Sequence, residues 1–344
     1  MHSKTLLENI LQLHRGYDLP EREREDGNVP IISSSGYSGT HNKYKCDGEN
    51  VITGRYGTIG EVFFHDGECW PLNTALYVSD FKGNVPRYIY YLLKYVLKLS
   101  IDGKDKSTVP GVDRNVLHKM NVPFCEDINE QKRTIAILEQ IDRKIELNRK
   151  INDNLQQMAY AKYMHMFYGK KPNAKLGDII VEQPKSTIQV GDAKEASGTI
   201  PFFTSGEAIL KWPEALVNGR NCYLNTGGNA DVKFYVGKSA YSTDTWCITA
   251  ENDIADYLYL LLDSIRTELN LKFFQGTGLK HLQKPLLKDR PIYIPSQNEL
   301  SEFNVDVQPW LSMISDNIRE SEELKSLRDW LLPMLMNGQA TISD

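Results

Sequence analysis

Residues 51–80 read VITGRYGTIGEVFFHDGECWPLNTALYVSD, and a related sequence, CYLNTGGNADVKFYVGKSAYSTDTWCITAE, occupies residues 222–251. The two align without a gap when the chain is shifted by 171 residues, and in that register GNVPIISSSG (27–36) falls on GTIPFFTSGE (198–207). Apolar positions coincide, as do the identities Gly27/Gly198, Pro30/Pro201, Ser34/Ser205, Asn50/Asn221, Gly57/Gly228, Phe63/Phe234 and Thr74/Thr245. A solenoid repeat spans only about 20–50 residues, so this longer period indicates a duplicated domain.

Each copy of the domain combines strands and helices. Short β-branched or aromatic segments separated by turn residues predict strands at 29–33, 50–53, 59–65 and 74–79. Apolar residues at helical spacing predict helices at 86–100 and 254–272. We therefore expect two similar mixed α/β (α+β) domains, each with a small twisted sheet or partial barrel, whose strand order does not follow from the sequence.

A long helix follows each domain. Neither Pro nor Gly interrupts the chain from Asn129 to Phe167, and its apolar residues recur every three or four positions, which predicts a helix about 60 Å long. The second helix is predicted from Gln297 to Met336, with Pro309 and Pro333 expected to kink or break it. A single apolar stripe needs a partner. The simplest partner is the other helix, and coiled coils formed with other chains are the alternative.

These elements predict a domain organisation of 1–125, 126–168, 169–297 and 298–344, in which the second and fourth segments are the long helices. A chain of 344 residues exceeds the usual size of one core, which agrees with two domains. No segment has the pattern of a signal peptide or a membrane span. The five cysteines are odd in number and widely spaced, and none forms a Cys-x-x-Cys motif. They are expected to be reduced in a cytoplasmic protein.

The charge distribution leaves DNA binding open. Lys and Arg balance Asp and Glu up to residue 297, at 37 against 36, whereas residues 298–344 carry 3 against 9. The net charge of −5 therefore reflects the C-terminal segment. The neutral remainder leaves positive charges free to cluster locally, although its charge is no positive evidence for DNA binding.

The layout resembles the specificity (S) subunit of Type I restriction-modification systems over essentially the whole chain. The resemblance rests on VITGRYGTIGEV (51–62), on the helix opening INEQKRTIAILEQIDRKIELNRK (128–150) and on LLPMLMNGQ (331–339), in this order and with the domain doubled. It implies two target recognition domains separated by a pair of antiparallel coiled-coil spacer helices, with pseudo-two-fold symmetry. It also implies that each domain reads one part of a split, asymmetric site in double-stranded DNA.

The resemblance further implies partners. The helices would dock two modification subunits, which carry the adenine methyltransferase chemistry, and restriction subunits (translocase and nuclease) would join to cleave. One departure concerns Arg55, which is replaced by Thr226 in the second copy. The equivalent use of this loop in the second domain is therefore open.

Motifs for catalysis are missing from the sequence. It contains neither a nucleotide-binding P-loop nor the Asn/Asp-Pro-Pro-aromatic motif of adenine methyltransferases. Glu130 and Lys132 are better explained by the polarity of a helix start, and His65 with Cys69 lacks the second ligand pair of a zinc site. We expect no catalytic residue, metal or cofactor in this chain.

The first candidate DNA-binding segment is the glycine-containing loop of each repeat. An arginine on a tight loop can bind guanine or grip a phosphate, and the second copy offers polar amides and a hydroxyl instead. An ordinary hairpin turn with a solvated arginine is the alternative. The candidates are Gly54, Arg55, Tyr56, Thr58, Asn225, Thr226 and Asn229.

A second candidate segment follows the apolar strand at the start of each repeat. Small hydroxyls beside a turn suit phosphate or base contacts, or they satisfy only local backbone groups. The candidates are Ser33, Ser34, Ser35, Tyr37, Thr204 and Ser205, with Lys43 nearby as either a DNA contact or part of a solvated face.

A third segment is the polar loop after each domain's helix. Its lysines and hydroxyls suit contacts with the DNA backbone, whereas an ordinary mobile loop is the alternative. The candidates are Lys104, Lys106, Ser107, Gln275, Thr277 and Lys280.

The end of the first long helix is rich in aromatic residues and Met. Such a surface suits a protein partner, here the modification subunit, and packing against a neighbouring domain is the alternative. The candidates are Tyr160, Tyr163, Met166 and Phe167. Asn148 and Asn152 lie near the apolar stripe, where a buried Asn fixes register, or they are exposed.

Two other functions compete with the specificity subunit. A free-standing DNA-binding protein with two recognition domains would bind its site tightly without partners. A coiled-coil adaptor whose domains bind proteins would show no salt-dependent DNA binding. For a specificity subunit, we expect a bipartite site whose halves are centred about 10 base pairs apart, because both domains must face the same side of the duplex.

Overall fold

The computed structural model describes residues 3–55, 60–102 and 113–340. The chain divides into two compact units, which we call unit 1 (Met1–Arg143 with Leu324–Asp344) and unit 2 (Lys144–Glu323). Two 40-residue helices contribute to both units, α4 (Ile128–Phe167) and α9 (Gln297–Met336). No helix in the described part of the chain is long and apolar enough to cross a membrane.

Unit 1 is built from short strands around helix α2. Its strands are β1 (Ser3–Leu6), β2 (Gln12–Arg15), β3 (Val29–Ser33), β4 (Gly36–His41), β5 (Glu49–Gly54), β6 (Val62–Asp66), β7 (Trp70–Pro71), β8 (Ala75–Asp80) and β9 (Asn121–Phe124). Its short helices are α1 (Leu7–Ile10), α2 (Pro86–Asp102) and α3 (Arg114–His118). The sheets have the orders β2-β8-β5-β6, β4-β3-β7 and β1-β9, and of the strand pairs described in this unit only β3–β7 is parallel.

The core of unit 1 lies between the β2-β8-β5-β6 sheet, α2 and the two long helices. Buried Ile135 and Leu138 of α4 belong to the same apolar cluster as Leu332 and Leu335 of α9. One helical turn further along α4, the Asp142 carboxylate accepts hydrogen bonds from Arg328 Nη1 (2.8 Å) and from the hydroxyl of Tyr91 on α2 (2.8 Å). The described contacts in this unit therefore run antiparallel along the two helices.

Unit 2 has a similar arrangement of strands and helices. Its strands are β10 (Ala174–Lys175), β11 (Val181–Glu182), β12 (Ile200–Phe203), β13 (Ile209–Trp212), β14 (Arg220–Asn225), β15 (Val232–Val236), β16 (Ala240–Tyr241), β17 (Thr245–Thr249), β18 (Phe274–Gln275), β19 (His281–Leu282) and β20 (Pro291–Ile292). Its shorter helices are α5 (Val190–Glu195), α6 (Ala255–Ser264), α7 (Arg266–Glu268) and α8 (Lys284–Lys288). The sheets β11-β17-β14-β15, β13-β12-β16 and β10-β20 have the same orders as their counterparts in unit 1.

The long helices also pair antiparallel within unit 2. Buried Asn148 donates from Nδ2 to Glu320 Oε2 at 2.7 Å. Further along α4, half-buried Asn152 accepts a hydrogen bond from Asn317 (2.8 Å), and Lys162 forms an ion pair with Asp306 (3.0 Å). Both asparagines thus contact α9, and an amide at a helix–helix contact favours one register over its neighbours.

The structure confirms the duplicated fold but corrects its alignment. Thr53 pairs with Val62 in unit 1 and Leu224 with Val232 in unit 2, so that the second loop is one residue shorter. After this loop the equivalent positions are 170 rather than 171 residues apart. The identities Phe63/Phe234 and Thr74/Thr245 are therefore not structurally equivalent. A one-residue slip turns a strand's side chains to the opposite face, which the gapless alignment could not detect.

The predicted helices are largely confirmed, with two corrections. Helix α9 continues unbroken through Pro309 and Pro333, so the predicted local break is wrong. Pro309 and the preceding-turn residue Val305 are both exposed, which leaves the unpaired carbonyl of Val305 facing solvent. The segment predicted as one helix at 254–272 comprises α6, α7 and a π-helical turn at Leu269–Phe273.

Candidate nucleic-acid interface

The β3–β4 turn of unit 1 presents some of its predicted hydroxyls and uses others internally. Ser33 is buried, and its Oγ donates to the Gly36 carbonyl (3.0 Å) and contacts Ser35 Oγ (3.1 Å). Ser35 is exposed and Ser34 is half-buried. Tyr37 is 62% exposed, and its hydroxyl lies 3.1 Å from His65 Nδ1. Ser33 therefore shapes the turn, whereas Ser34, Ser35 and Tyr37 remain available to a ligand.

Thr74 brings the β3–β4 turn and the β5–β6 loop together. Its carbonyl accepts a hydrogen bond from Arg55 N (3.0 Å), and its Oγ1 accepts one from Ser34 N (3.3 Å). Thr53 Oγ1 closes the base of the loop by donating to the Glu61 carbonyl (2.8 Å). The structure thus holds the backbones of Ser34 and half-buried Arg55 against the same residue. In the sequence Thr74 stands out only as a repeat identity, because its residue type and neighbours do not mark it as an anchor of the loop.

Of the other unit 1 candidates, two are described by the structure and the rest are not. Lys43 is exposed in the β4–β5 loop. Gly54 is buried at the end of β5 and provides backbone only. The remaining candidates, Tyr56, Thr58, Lys104, Lys106 and Ser107, lie outside the residues that the structure describes.

In unit 2 the predicted loop is organised by Asn225. This buried side chain donates from Nδ2 to the carbonyls of Gly227 (2.8 Å) and Asn229, and its Oδ1 accepts from Asp231 N (2.7 Å). Half-buried Thr226 donates from both its backbone N and its Oγ1 to the Asp244 carbonyl, each at 3.0 Å. Asn225 therefore holds the loop in shape, and Thr226 and exposed Asn229 are its outward-facing polar groups.

The β18–β19 hairpin joins this loop. Leu282 N donates to the Thr226 carbonyl (3.0 Å), and Gly228 N donates to the Lys280 carbonyl (2.9 Å). The structure therefore brings together two segments about 50 residues apart in sequence. The hairpin exposes the predicted residues Gln275, Thr277 and Lys280. It also exposes Leu279, which is 65% exposed and is not among the predicted residues.

The β12–β13 loop of unit 2 behaves like its counterpart in unit 1. Thr204 is buried, and its Oγ1 contacts the carbonyls of Gly206 and Ala208 at 3.3 Å each. Lys233 Nζ donates to the Thr204 carbonyl (3.1 Å), which ties the loop to β15. Ser205 is half-buried. Thr204 is therefore a turn residue, and Ser205 is the candidate that stays accessible.

The aromatic end of α4 is mostly core. Tyr163 and Phe167 are buried, with ring centroids 5.6 and 5.2 Å from Tyr257, and Phe167 also packs against Phe303 at 5.1 Å. These two predicted partner contacts are corrected, because their side chains already pack within unit 2. Tyr160 and Met166 are half-buried.

A family model and a relative of known class both match this chain. The model of the Type I restriction modification DNA specificity domain matches residues 5–157 and 170–308. The Type I restriction enzyme MjaIX specificity subunit of Methanocaldococcus jannaschii is 22% identical over 312 residues, which cover 76% of this chain and 71% of that protein.

A solved structure has the same fold. The crystal structure of the S subunit of a Type I restriction-modification system from M. genitalium matches 100% of this chain and 97% of that chain, with a TM-score of 0.65 and 15% identity. The likeness extends over both units and both long helices. Because the family model also matches the chain twice, over most of its length, this protein belongs to the Type I restriction-modification DNA specificity family.

Proposed function

We propose that the chain is the non-catalytic specificity subunit of a Type I restriction-modification complex. Each domain reads one half of a bipartite, asymmetric site in double-stranded DNA. The long helices set the length of the unread spacer and dock two modification subunits, which supply the adenine methyltransferase activity. Restriction subunits join this assembly when DNA is cleaved.

The observation that carries this proposal is the contrast between shared sheets and unlike loops. The sheet orders are the same in the two units. At equivalent loop positions, however, unit 1 has Arg55 and unit 2 has Thr226. Arginine binds guanine or a phosphate in a bidentate manner, whereas a threonine hydroxyl makes a single contact. Two such domains in one chain are suited to two half-sites of different sequence.

The partner surface in this proposal excludes the buried aromatic residues. Tyr160 and Met166 are half-buried, and Met158 on the same helix is 47% exposed. Met adapts to irregular apolar surfaces and is common at protein interfaces. We therefore retain Tyr160 and Met166 as candidate contacts for a modification subunit.

Mapping methylated adenines after co-expression with the cognate modification subunit tests the proposal. Arg55→Ala is expected to reduce methylation about 10- to 100-fold and to relax the sequence of one half-site only, because one good base contact contributes about 1–3 kcal/mol. The matched variant, Thr226→Ala with Asn229→Ala, is expected to affect the other half-site. If both variants weakened both half-sites equally, the assignment of one domain to each half-site would be wrong.

The spacer has its own test. A heptad inserted near Gly169–Asn173 is expected to lengthen the unread spacer in the methylation map while the two half-sites keep their sequences. Changed half-sites with an unchanged spacer would contradict the role of the helices.

A further inference from the structure

Two cysteines face each other in unit 1. Cys46 in the β4–β5 loop and Cys69 before β7 form an antiparallel bridge. Cys69 N donates to the Cys46 carbonyl (2.8 Å), and Cys46 N donates to the Cys69 carbonyl (3.1 Å). A pair that exchanges both backbone hydrogen bonds has its Cα atoms about 5.5 Å apart. Disulfides span Cα separations of about 4.4–6.8 Å, so the backbone already stands at the distance of a disulfide.

The side chains of this pair also belong to one apolar cluster. Cys46 packs against the buried cluster that contains Cys69 and Ile52. Cys69 is fully buried, whereas Cys46 is half-buried and reachable from solvent. The other three cysteines of the chain, Cys125, Cys222 and Cys247, are buried. Cys46 is therefore the thiol that a soluble oxidant meets first, and Cys69 is the thiol next to it.

Unit 2 contains the same bridge without cysteines. Val217 and Ser239 occupy the equivalent positions. Their backbones exchange hydrogen bonds of 3.1 and 3.0 Å, as Cys46 and Cys69 do. The fold therefore forms this backbone bridge without thiols.

We propose that Cys46 and Cys69 form a reversible redox pair, in which a peroxide converts the two thiols into a disulfide. The Cys46 thiolate attacks one oxygen of hydrogen peroxide, which gives a sulfenic acid and releases hydroxide. The Cys69 thiol then attacks the sulfenic sulfur, the S–S bond forms, and water leaves. In total, two thiols and one peroxide give one disulfide and two waters. An external dithiol reverses the reaction by exchange.

The electrostatics of the pair support this division of roles. The hydrogen bond from Cys69 lowers the pKa of the Cys46 thiol, against the opposing effect of burial. The hydrogen bond with Cys46, together with burial, raises the pKa of the Cys69 thiol. The thiolate is the reacting form of cysteine, so Cys46 is suited to react first and Cys69 second.

The disulfide would close residues 46–69 into one ring. This ring contains β5, β6 and the loop that begins at Arg55. Closing a ring restricts the unfolded chain and stabilises the segment. Oxidation therefore acts on the stability of the segment that carries the β5–β6 loop candidates for DNA contact, among them Gly54 and Arg55.

The test uses the full-length chain without denaturant. It is treated with a small molar excess of hydrogen peroxide, alkylated, and digested for mass spectrometry. We expect one cross-linked pair of peptides containing Cys46 and Cys69, about 2 Da lighter than the sum of the reduced peptides, which disappears after dithiothreitol treatment. Cys125, Cys222 and Cys247 serve as internal controls and should be recovered as alkylated thiols after unfolding.

The variants take their residues from unit 2. Cys46→Val and Cys69→Ser reproduce the side chains of the Val217–Ser239 bridge, and each should abolish the cross-link while the circular dichroism of the reduced chain stays close to that of the parent. In Cys69→Ser, a dimedone probe should trap a sulfenic acid on Cys46. Recovery of both residues as thiols after peroxide, or a cross-link that forms only in denaturant, would overturn the proposal. The test does not depend on DNA binding.

Discussion

In unit 1 the β5–β6 loop is anchored by Thr74, whereas in unit 2 the equivalent β14–β15 loop is anchored by Asn225 and by the β18–β19 hairpin. One backbone hydrogen bond is common to both: Arg55 N donates to the Thr74 carbonyl and Thr226 N donates to the Asp244 carbonyl, each at 3.0 Å. The main-chain frame of the loop is therefore kept, while the side chains on it differ. A duplicated domain can thus change the side chains of a loop in one copy without changing its sheets.

The two units also differ in how each domain is fastened to a long helix. In unit 2, buried Asp256 accepts two hydrogen bonds from Arg220 Nε (2.8 and 2.9 Å), and Arg220 Nη2 donates to the Gln308 carbonyl of α9 (2.8 Å). In unit 1, the neutral side chain of Gln131 on α4 accepts from Val85 N (3.0 Å) and donates to the Cys125 carbonyl (2.8 Å). At these two contacts unit 2 therefore uses a buried ion pair and unit 1 uses neutral amide groups.

The largest effect is expected from Arg220→Met. This change leaves the Asp256 carboxylate buried without its cation, and breaking a buried ion pair costs about 3–5 kcal/mol. Hydrogen exchange of the buried amides of unit 2 measures the loss in the free energy of unfolding. The matched change in unit 1, Gln131→Met, removes only neutral hydrogen bonds and should cost about 1–3 kcal/mol. Equal losses would show that the charge adds nothing to the attachment.

The pH dependence of Arg220→Met sharpens this comparison. Burial raises the pKa of Asp256, and Arg220 opposes that rise. Without Arg220 the folded-state pKa rises further above the unfolded value, so stability is lost as pH rises and the carboxyl ionises. The deficit of the variant should therefore be largest at neutral pH and shrink toward the ordinary pKa of Asp, about 4. A deficit that is constant with pH would exclude the buried carboxylate as its cause.

A smaller effect is expected from Asn225→Ala in the unit 2 loop. The change leaves the carbonyls of Gly227 and Asn229 and the N–H of Asp231 without their partner, at a cost of about 1–3 kcal/mol. Hydrogen exchange at 227–231 should accelerate while the sheet amides stay protected. Thr226→Val is the matched control, because it removes one hydrogen bond from a half-buried side chain. If the control accelerated exchange as much as Asn225→Ala, Asn225 would not be the organiser of the loop.

The sequence was sufficient for the parts of the fold that depend on period and composition. An uninterrupted apolar stripe predicted both long helices, since helical spacing is visible over ten turns. The sequence could not show how the two copies of the domain align beyond the β5–β6 loop. There Phe63 and Phe64 are adjacent aromatic residues on opposite faces of a strand. Either could be matched with Phe234 by residue type, but only Phe64 shares its place in the apolar core beside α2 or α6.

The sequence located the segments of the candidate site better than its individual residues. A polar residue after a strand indicates a loop whether its side chain faces solvent or only closes the turn. Whether a hydroxyl such as Ser33 or Thr204 faces solvent or closes its own turn depends on backbone angles that residue type does not specify. The contact between the β18–β19 hairpin and the β14–β15 loop joins distant parts of the chain. For these reasons the structure was needed to separate exposed candidates from internal ones.

The smallest effects are expected at the starts of the two long helices, which are capped differently. At α4, Asp127 Oδ1 accepts from Asn129 N (2.8 Å) and Glu130 N (3.3 Å). At α9, Glu299 Oε2 accepts from Ser296 N (2.9 Å) and Ser296 Oγ (2.8 Å). Asp127→Ala removes the acceptor itself and should cost about 1 kcal/mol, whereas Ser296→Ala leaves Glu299 in place and should cost about half as much.

The α9 cap should also respond to acid. Hydrogen bonds from Lys170 and then from Ser296 N lower the pKa of Glu299 to about 2, from an ordinary value of 4.5. A carboxylate whose folded-state pKa is lowered stabilises the fold above its unfolded pKa, and this contribution disappears as pH falls through the folded value. Protection of the first-turn amides of α9, measured as exchange relative to the intrinsic rate at each pH, should therefore fall between pH 4.5 and about 2, and Glu299→Gln should remove this dependence. A Gln variant that kept the same acid response would place its origin at another group.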